Sequence, residues 1–184
     1  MAKQILDMAL QQAESDSWEA LSLHQIASSL DISLDEIRCL YPQKDDLVEA
    51  WFDRADQAVL SEKASEEFAA LAADERLRQV IMKWFFALHE HRRLTRQMLC
   101  YKFEFGHVHL QVLGIMRISR TVQWFREAAL IDTQGLHRII EEVCLTGIYL
   151  ASFARWLADG SQNSRHTDRF LAQALKRVRT LKRV

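Results

Sequence analysis

Ser22-Leu23-His24-Gln25-Ile26-Ala27-Ser28-Ser29-Leu30-Asp31-Ile32-Ser33-Leu34-Asp35-Glu36-Ile37-Arg38-Cys39-Leu40 decides the fold. Two short helical patterns lie inside it, separated by Asp31-Ile32. Ser22 stands three positions before Gln25, and Ser33 three before Glu36. That spacing lets a hydroxyl cap the first turn of a helix while the later side chain reaches back. The predicted helices cover about Leu23–Leu30 and Leu34–Leu40. The second stops ahead of Pro42, which disfavours helical geometry in the residue before it. Upstream, Ile5, Leu6, Ala9, Leu10 and Ala13 recur at helical spacing, and Trp18 and Leu21 seal the turn that follows. Downstream, a longer helix opens near Lys44. Asp45 and Asp46 sit at its positive end, and it continues through Leu47, Trp51, Ala55, Ala58 and Val59. Two short helices on a tight turn, with a supporting helix on either side, form helix-turn-helix anatomy.

The charge of this segment opposes its shape. Residues 1–50 carry three basic and ten acidic side chains, net −7; residues 51–184 carry 21 and 15, net +6. DNA affinity comes largely from pairing Lys and Arg with phosphates and releasing counterions, so the segment is shaped to read DNA and charged to repel it. The run Lys176 to Val184 holds Lys176, Arg177, Arg179, Lys182 and Arg183 with no acid, which complements a helix C-terminus.

The remainder also reads as helix. Five glycines and one proline are too few for an all-β chain of 184 residues. Residues 61–74 read as continued helix and connector. Leu77, Val80, Ile81, Trp84, Phe85 and Leu88 form one apolar stripe from Asp74 onward. A polar break at His89–Arg93 precedes a shorter helix over about Leu94–Tyr101. A long helix covers about Val108–Ala129, another starts at Asp132 or Thr133 and runs to about Asp159, and a last one covers about Arg165–Leu181. The fold class is all-α, with about nine helices. No apolar run is long enough for a membrane span and no signal peptide is expected. The three cysteines, Cys39, Cys100 and Cys144, are widely spaced with no CxxC pair and read as small buried hydrophobes in a reducing, cytoplasmic compartment rather than as a disulfide or metal framework.

Certain stretches resemble the TetR family of bacterial regulators: Ile5 to Leu10, Trp18 to Ala27, Ile32-Ser33, and Tyr41-Pro42-Gln43-Lys44 ending in Leu47. The resemblance covers about a quarter of the chain. It implies a helix-turn-helix domain over 1–50 and a helical ligand-binding and dimerisation domain over 51–184. It further implies a homodimer that binds operator DNA and responds to a small hydrophobic or anionic ligand. DNA contacts then fall to Ser22, Gln25, Ser33, Leu34, Arg38 and Lys44. The departures lie at the same place, where Asp35 and Glu36 open the reading helix. The alternative is a TetR-fold protein that has lost DNA binding and holds a lipid or other hydrophobic ligand, like the TetR-fold lipid-binding proteins of ubiquinone biosynthesis.

Under the same resemblance, aromatic density points to a ligand pocket lined by Trp84, Phe85, Leu88, Met98, Phe103, Leu113, Met116, Trp124, Tyr149 and Phe153; ordinary core packing is the alternative. Arg117 and Arg120, one turn apart, fit a clamp on an anionic head group. A solvated face, or internal pairing with Glu127 or Glu104, competes with that role. The dimer face comprises Leu136, Ile140, Cys144, Gly147, Ile148, Ala151 and Arg155 on the penultimate helix, and Phe170, Ala174 and Val178 on the last. His89/His91 and His107/His109 are two apart and diverge on a helix, so no metal is expected. No enzyme constellation and no cofactor motif is present.

Overall fold

A computed structural model of the chain describes residues 1–102 and 108–181, and the side-chain surroundings of residues 1–101 and 116–178. The described residues form ten α-helices: α1 Ala2–Ser15, α2 Leu23–Leu30, α3 Leu34–Leu40, α4 Lys44–Leu60, α5 Glu66–Ala70, α6 Ala73–Ala87, α7 Arg92–Lys102, α8 Val108–Ala128, α9 Gly135–Ala158 and α10 Arg165–Leu181. Short 3₁₀ turns at His89–His91 and Gln162–Ser164 precede α7 and α10. Contacts gather the chain into two compact units. One holds Met1–Arg54 and the described part of Leu88–Gln111; the other holds Ala55–Ala87 and the described part of Val112–Val184. The grouping runs through α4 and places α7 with the first three helices.

In the first unit the apolar stripe of α1 (Ile5, Leu6, Ala9, Leu10, Ala13) is buried, as are Ile26 and Ala27 of α2 and Ile37 of α3. Both expected caps form. The Ser22 hydroxyl accepts from the Gln25 N–H at 3.4 Å. The Ser33 hydroxyl accepts from the Glu36 N–H at 3.1 Å, while Glu36 Oε2 accepts from the Ser33 N–H at 2.8 Å. Asp31 closes α2 in the left-handed region at φ 53°, a conformation that a short polar side chain tolerates better than most. Polar ties hold α7 to this unit. The Trp18 N–H donates to Gln97 Oε1 at 2.9 Å, and Trp51 Nε1 donates to Thr95 Oγ1 at 2.9 Å.

The second unit is built on aromatics. Trp84 meets Phe85, Phe125, Tyr149 and Phe153 edge-on at centroid distances of 5.5–6.0 Å. Phe85, Phe153 and Trp156 stack nearly parallel. These offset and T-shaped arrangements suit the ring quadrupole. Helix α10 packs on α6 and α9.

Two local expectations change. Residues 61–74 are not one continued helix. Ser65 accepts from the Phe68 N–H at 3.1 Å and starts the separate five-residue α5. Helix α9 begins at Gly135, at φ 63°, rather than at Asp132 or Thr133. The Thr133 hydroxyl is engaged elsewhere, accepting from Arg126 Nη2 at 2.8 Å and donating to Glu141.

Candidate functional site

Helix α3 is anchored by one buried side chain, Ile37, while Leu34, Asp35, Glu36, Arg38, Cys39 and Leu40 are exposed. That is the geometry of an element presented outward. Its cation is not idle. Arg38 Nη2 and Nε donate to Asp35 Oδ1 at 2.6 and 3.0 Å, with both side chains about 70% exposed. A pair so exposed is weak, so a phosphate can compete for the guanidinium. Glu36 is held below the usual carboxylate range, chiefly by the Ser33 backbone N–H and then by its hydroxyl. It therefore stays anionic at the start of α3.

Gln25 and Lys44, two more of the expected DNA contacts, are likewise engaged within the chain. Gln25 Oε1 accepts from the Gln12 amide. Lys44 Nζ donates to the Glu19 carbonyl at 3.0 Å and stands 5.5 Å from the ring centroids of Trp18 and Tyr101. Partial burial pulls its ammonium below the ordinary lysine value, against the pull of the Glu19 carboxylate. The sequence reading drew only Met98 of α7 into a site, as a pocket residue, and gave the arginines of this helix no role. In fact Arg93 and Arg96 join Trp18, Gln97 and Tyr101 around a groove on this unit.

Four of the expected pocket residues, Trp84, Phe85, Tyr149 and Phe153, come together as the packed aromatic core of the second unit. Leu88 and Met98 are buried in the first unit. Met116 and Trp124 are exposed, at 64% and 43%, and Arg120 is exposed too. Phe103 and the Leu113 side chain lie outside the described residues, as do His107, the His109 side chain and Glu104. Arg117 is buried and donates through Nη2 to Asp56 Oδ2 at 2.8 Å. Asp56 also accepts from Trp84 Nε1 at 2.8 Å and Thr121 Oγ1 at 3.3 Å. Burial, and secondarily the Asp56 charge, push the Tyr149 hydroxyl well above the usual tyrosine value. Asp56 was not singled out in the sequence. The available signal was its place on α4 four residues after Phe52 and three before Val59, both buried.

A separate cavity of about 270 Å³ opens among α6, α8, α9 and α10. Leu77, Ile131, Leu145, Ile148, Leu175 and Val178 give it apolar walls; Cys144, Arg126, Glu141 and Asp74 also line it. Of the expected dimer face on α9, Leu136, Ile140, Gly147, Ala151 and Arg155 are exposed, while Cys144 and Ile148 are half-buried. Phe170, Ala174 and Val178 on α10 are half-buried as well. The exposed apolar stripe adds Ile139, Val143 and Leu150, so it is rotated slightly from the expected face. A Cβ added at Gly147 would meet nothing within 4 Å. Among the described residues no three His, Cys, Asp or Glu side chains converge as a metal set, and no helix is long and apolar enough to cross a membrane.

The chain is similar over most of its length to solved structures. A TetR transcriptional regulator from Nitrosomonas europaea ATCC 19718 shares 46% identity, with 96% of each chain covered and a TM-score of 0.83. A TetR transcriptional regulator from Rhodococcus sp. RHA1 shares the fold at 15% identity, covering 94% of this chain and 92% of its own, with a TM-score of 0.70. A TetR-like regulator from the same source has a TM-score of 0.54 at 18% identity, over 97% and 94% of the two chains. The COQ9 family model matches residues 143–182. A search of curated proteins returns no match.

Proposed function

Because this chain belongs to the TetR family of transcriptional regulators, we propose that it works as a ligand-responsive regulator, a repressor that reads operator DNA as a homodimer. In this reading residues 1–50 contact DNA and residues 51–184 hold the ligand and pair the protomers. The observation that carries it is the outward-facing α3, fixed through Ile37 and through the Ser33–Glu36 capping box at its N-terminus. A capped, rigid helix presenting Leu34, Arg38 and its neighbours is what groove reading requires. Pairing is supported by the α9 stripe of Leu136, Ile139, Ile140, Val143 and Leu150, each at least 40% exposed. Such a row of exposed apolar side chains on one helix marks an interaction face. Ser22, Ser33 and Lys44 supply few phosphate contacts, so affinity rests on two protomers binding together.

The test is selection from a random duplex pool, followed by titration of the enriched sequence at rising salt. A regulator loses about 0.9 log units of affinity per tenfold rise in salt for each phosphate it neutralises. Failure to enrich any sequence at low salt sinks the DNA reading.

A second reading has its own support. Arg38 is held by Asp35 in a net-acidic segment, and the COQ9 match over residues 143–182 is compatible with a TetR-fold protein that keeps a hydrophobic ligand without DNA. Native mass spectrometry of the purified protein would detect a co-purifying lipid under that reading.

A further inference from the structure

We propose that the outer face of α10 is a second nucleic-acid contact, one that holds the phosphate backbone of a duplex without regard to its sequence. This surface lies wholly within the second unit. It goes beyond the α3 reading and stands without it.

Over residues 165–178 the exposed positions of α10 are Arg165, His166, Arg169, Gln173, Lys176 and Arg177. At about 100° per residue these fall within one arc of roughly 120°. The arc holds three arginines, a lysine and no acid. Asp168, the acid of this helix, is paired with Arg78. Asp159 is buried and accepts from Ser161 and Thr167, with His166 Nδ1 at 3.6 Å. Among the described residues Arg165, Arg169 and Arg177 enter no ion pair. The helix dipole does not account for this row. It favours cations at a C-terminus, yet Arg165 is the first residue of α10 and Arg169 follows one turn later. Phe170, Ala174 and Val178 occupy the adjoining arc and are half-buried, so pairing of protomers through them does not use up the cationic one.

The chemistry of the row favours a duplex. A guanidinium presents forked donors that match phosphate oxygens. At a helical rise of about 1.5 Å per residue the row from Arg165 to Arg177 runs roughly 18 Å, a length over which a duplex carries on the order of ten phosphate charges. A bilayer fits less well. Helices that rest on membranes sink apolar side chains into them, whereas Leu171 and Leu175 of α10 are buried in the protein and Phe170 has the Arg155 guanidinium over its ring at 5.6 Å. A single strand fits less well too, because the arc offers no aromatic ring for bases to stack on. Residues 1–50 are net −7 and residues 51–184 net +6, so the chain's surplus cations lie on the side of α10.

The experiment titrates the full chain into a labelled duplex of scrambled sequence and follows anisotropy across a salt series. Arg165→Gln, Arg169→Gln and Arg177→Gln together should weaken binding about thirtyfold at about 50 mM salt. The slope of log affinity on log salt should become shallower by about 2.7, that is about 0.9 for each lost phosphate contact. Gln173→Arg adds a cation inside the arc and should tighten binding about threefold, a gain that misfolding cannot imitate. Vesicles containing phosphatidylglycerol, at equal phosphate, should retain less protein than the duplex does. Four outcomes would overturn the proposal: no binding of the scrambled duplex at the lowest salt, a slope that survives loss of the three arginines, no gain from Gln173→Arg, or stronger retention on the vesicles. A slope that instead falls with Arg38→Gln and Lys44→Gln would return the contact to the first unit, so this proposal can fail while the α3 reading stands.

Discussion

The two units treat charge in opposite ways. In the first, acids are abundant and mostly at the surface. Asp35 pairs with Arg38 in solvent, and Glu36 spends its carboxylate on a cap. In the second, the decisive ions are buried. Asp56 and Arg117 are 6% and 7% exposed and hold Trp84 and Thr121 in one network. Asp159 accepts hydrogen bonds from the backbone and hydroxyl of both Ser161 and Thr167. A surface ion pair contributes little to stability, whereas removing one half of a buried pair strands the other half. The Asp35–Arg38 pair therefore contributes little to stability, while Asp56, Arg117 and Asp159 are committed to the fold.

The same substitution placed in each unit gives the largest contrast. Asp56→Ala should cost about 3–5 kcal/mol in urea unfolding, because it withdraws the carboxylate from Arg117 and Trp84. Asp35→Ala should cost about 1 kcal/mol or less, the worth of an exposed pair near a helix N-terminus. Equal losses would break the comparison. Next in size is the α9 stripe. Val143 is 68% exposed, so Val143→Asp leaves the protomer intact by circular dichroism. It should raise the dimer dissociation constant about a hundredfold by analytical ultracentrifugation, a loss of roughly 2.7 kcal/mol. An undisturbed dimer would remove this stripe from the interface.

Asp159 contributes a pH-dependent effect of about 2 kcal/mol. Burial pushes its carboxyl up, but the hydrogen bonds from Ser161 and Thr167 outweigh this and hold it well below the usual carboxylate range. An unfolded aspartate titrates near pH 3.9. The stabilisation is thus fully present above about pH 5 and drains away as pH falls below about 4, where the unfolded chain takes up the proton first. Urea midpoints from pH 7 to pH 3 should fall more steeply for the native protein than for Asp159→Asn. Parallel curves would show that this carboxylate is not a source of the acid sensitivity.

Helix order, the all-α class and the two short helices with their caps were legible in the sequence because each rests on local rules. Apolar spacing buried Ile5, Leu6, Ala9, Leu10 and Ala13, and Ser-x-x-Glu produced the capping box at Ser33. Long-range pairing was not legible. The chain does not advertise that Asp56 meets Arg117, 61 residues away, or that Thr133 turns to Glu141 rather than capping α9. The aromatics were recognised as a group, yet their density alone does not separate a lined hollow from a packed core. Trp84 and Phe85 turn out packed against their neighbours, and a cavity of the same unit opens beside Arg126. The α9 stripe was legible only to within part of a turn. The sequence reading centred the face on Cys144 and Ala151, whereas at about 100° per residue Val143 and Leu150 fall on the other side of Leu136.

The smallest expected effect tests whether the acidic face of α3 restrains binding. Asp35 does two things at once: it adds a negative charge to the presented face and it occupies the guanidinium of Arg38. Asp35→Asn removes the charge, keeps the shape and leaves Arg38 free to turn to phosphate. At about 4 Å in a water-like medium one charge repels another by roughly 1 kcal/mol, so affinity for duplex DNA at low salt should rise about fivefold. The gain should shrink as salt screens the contact. Adding Arg38→Ala to the Asp35→Asn variant should cancel it, because the liberated cation is the source of the gain. Glu36→Gln is the wrong probe, since it disturbs the Ser33 cap as well as the charge. Fluorescence anisotropy across a salt series compares the parent with the single and double variants. An Asp35→Asn variant that binds no better than its parent at the lowest salt would mean α3 does not approach phosphate, and the acidity of the first unit would then belong to a chain that has stopped reading DNA.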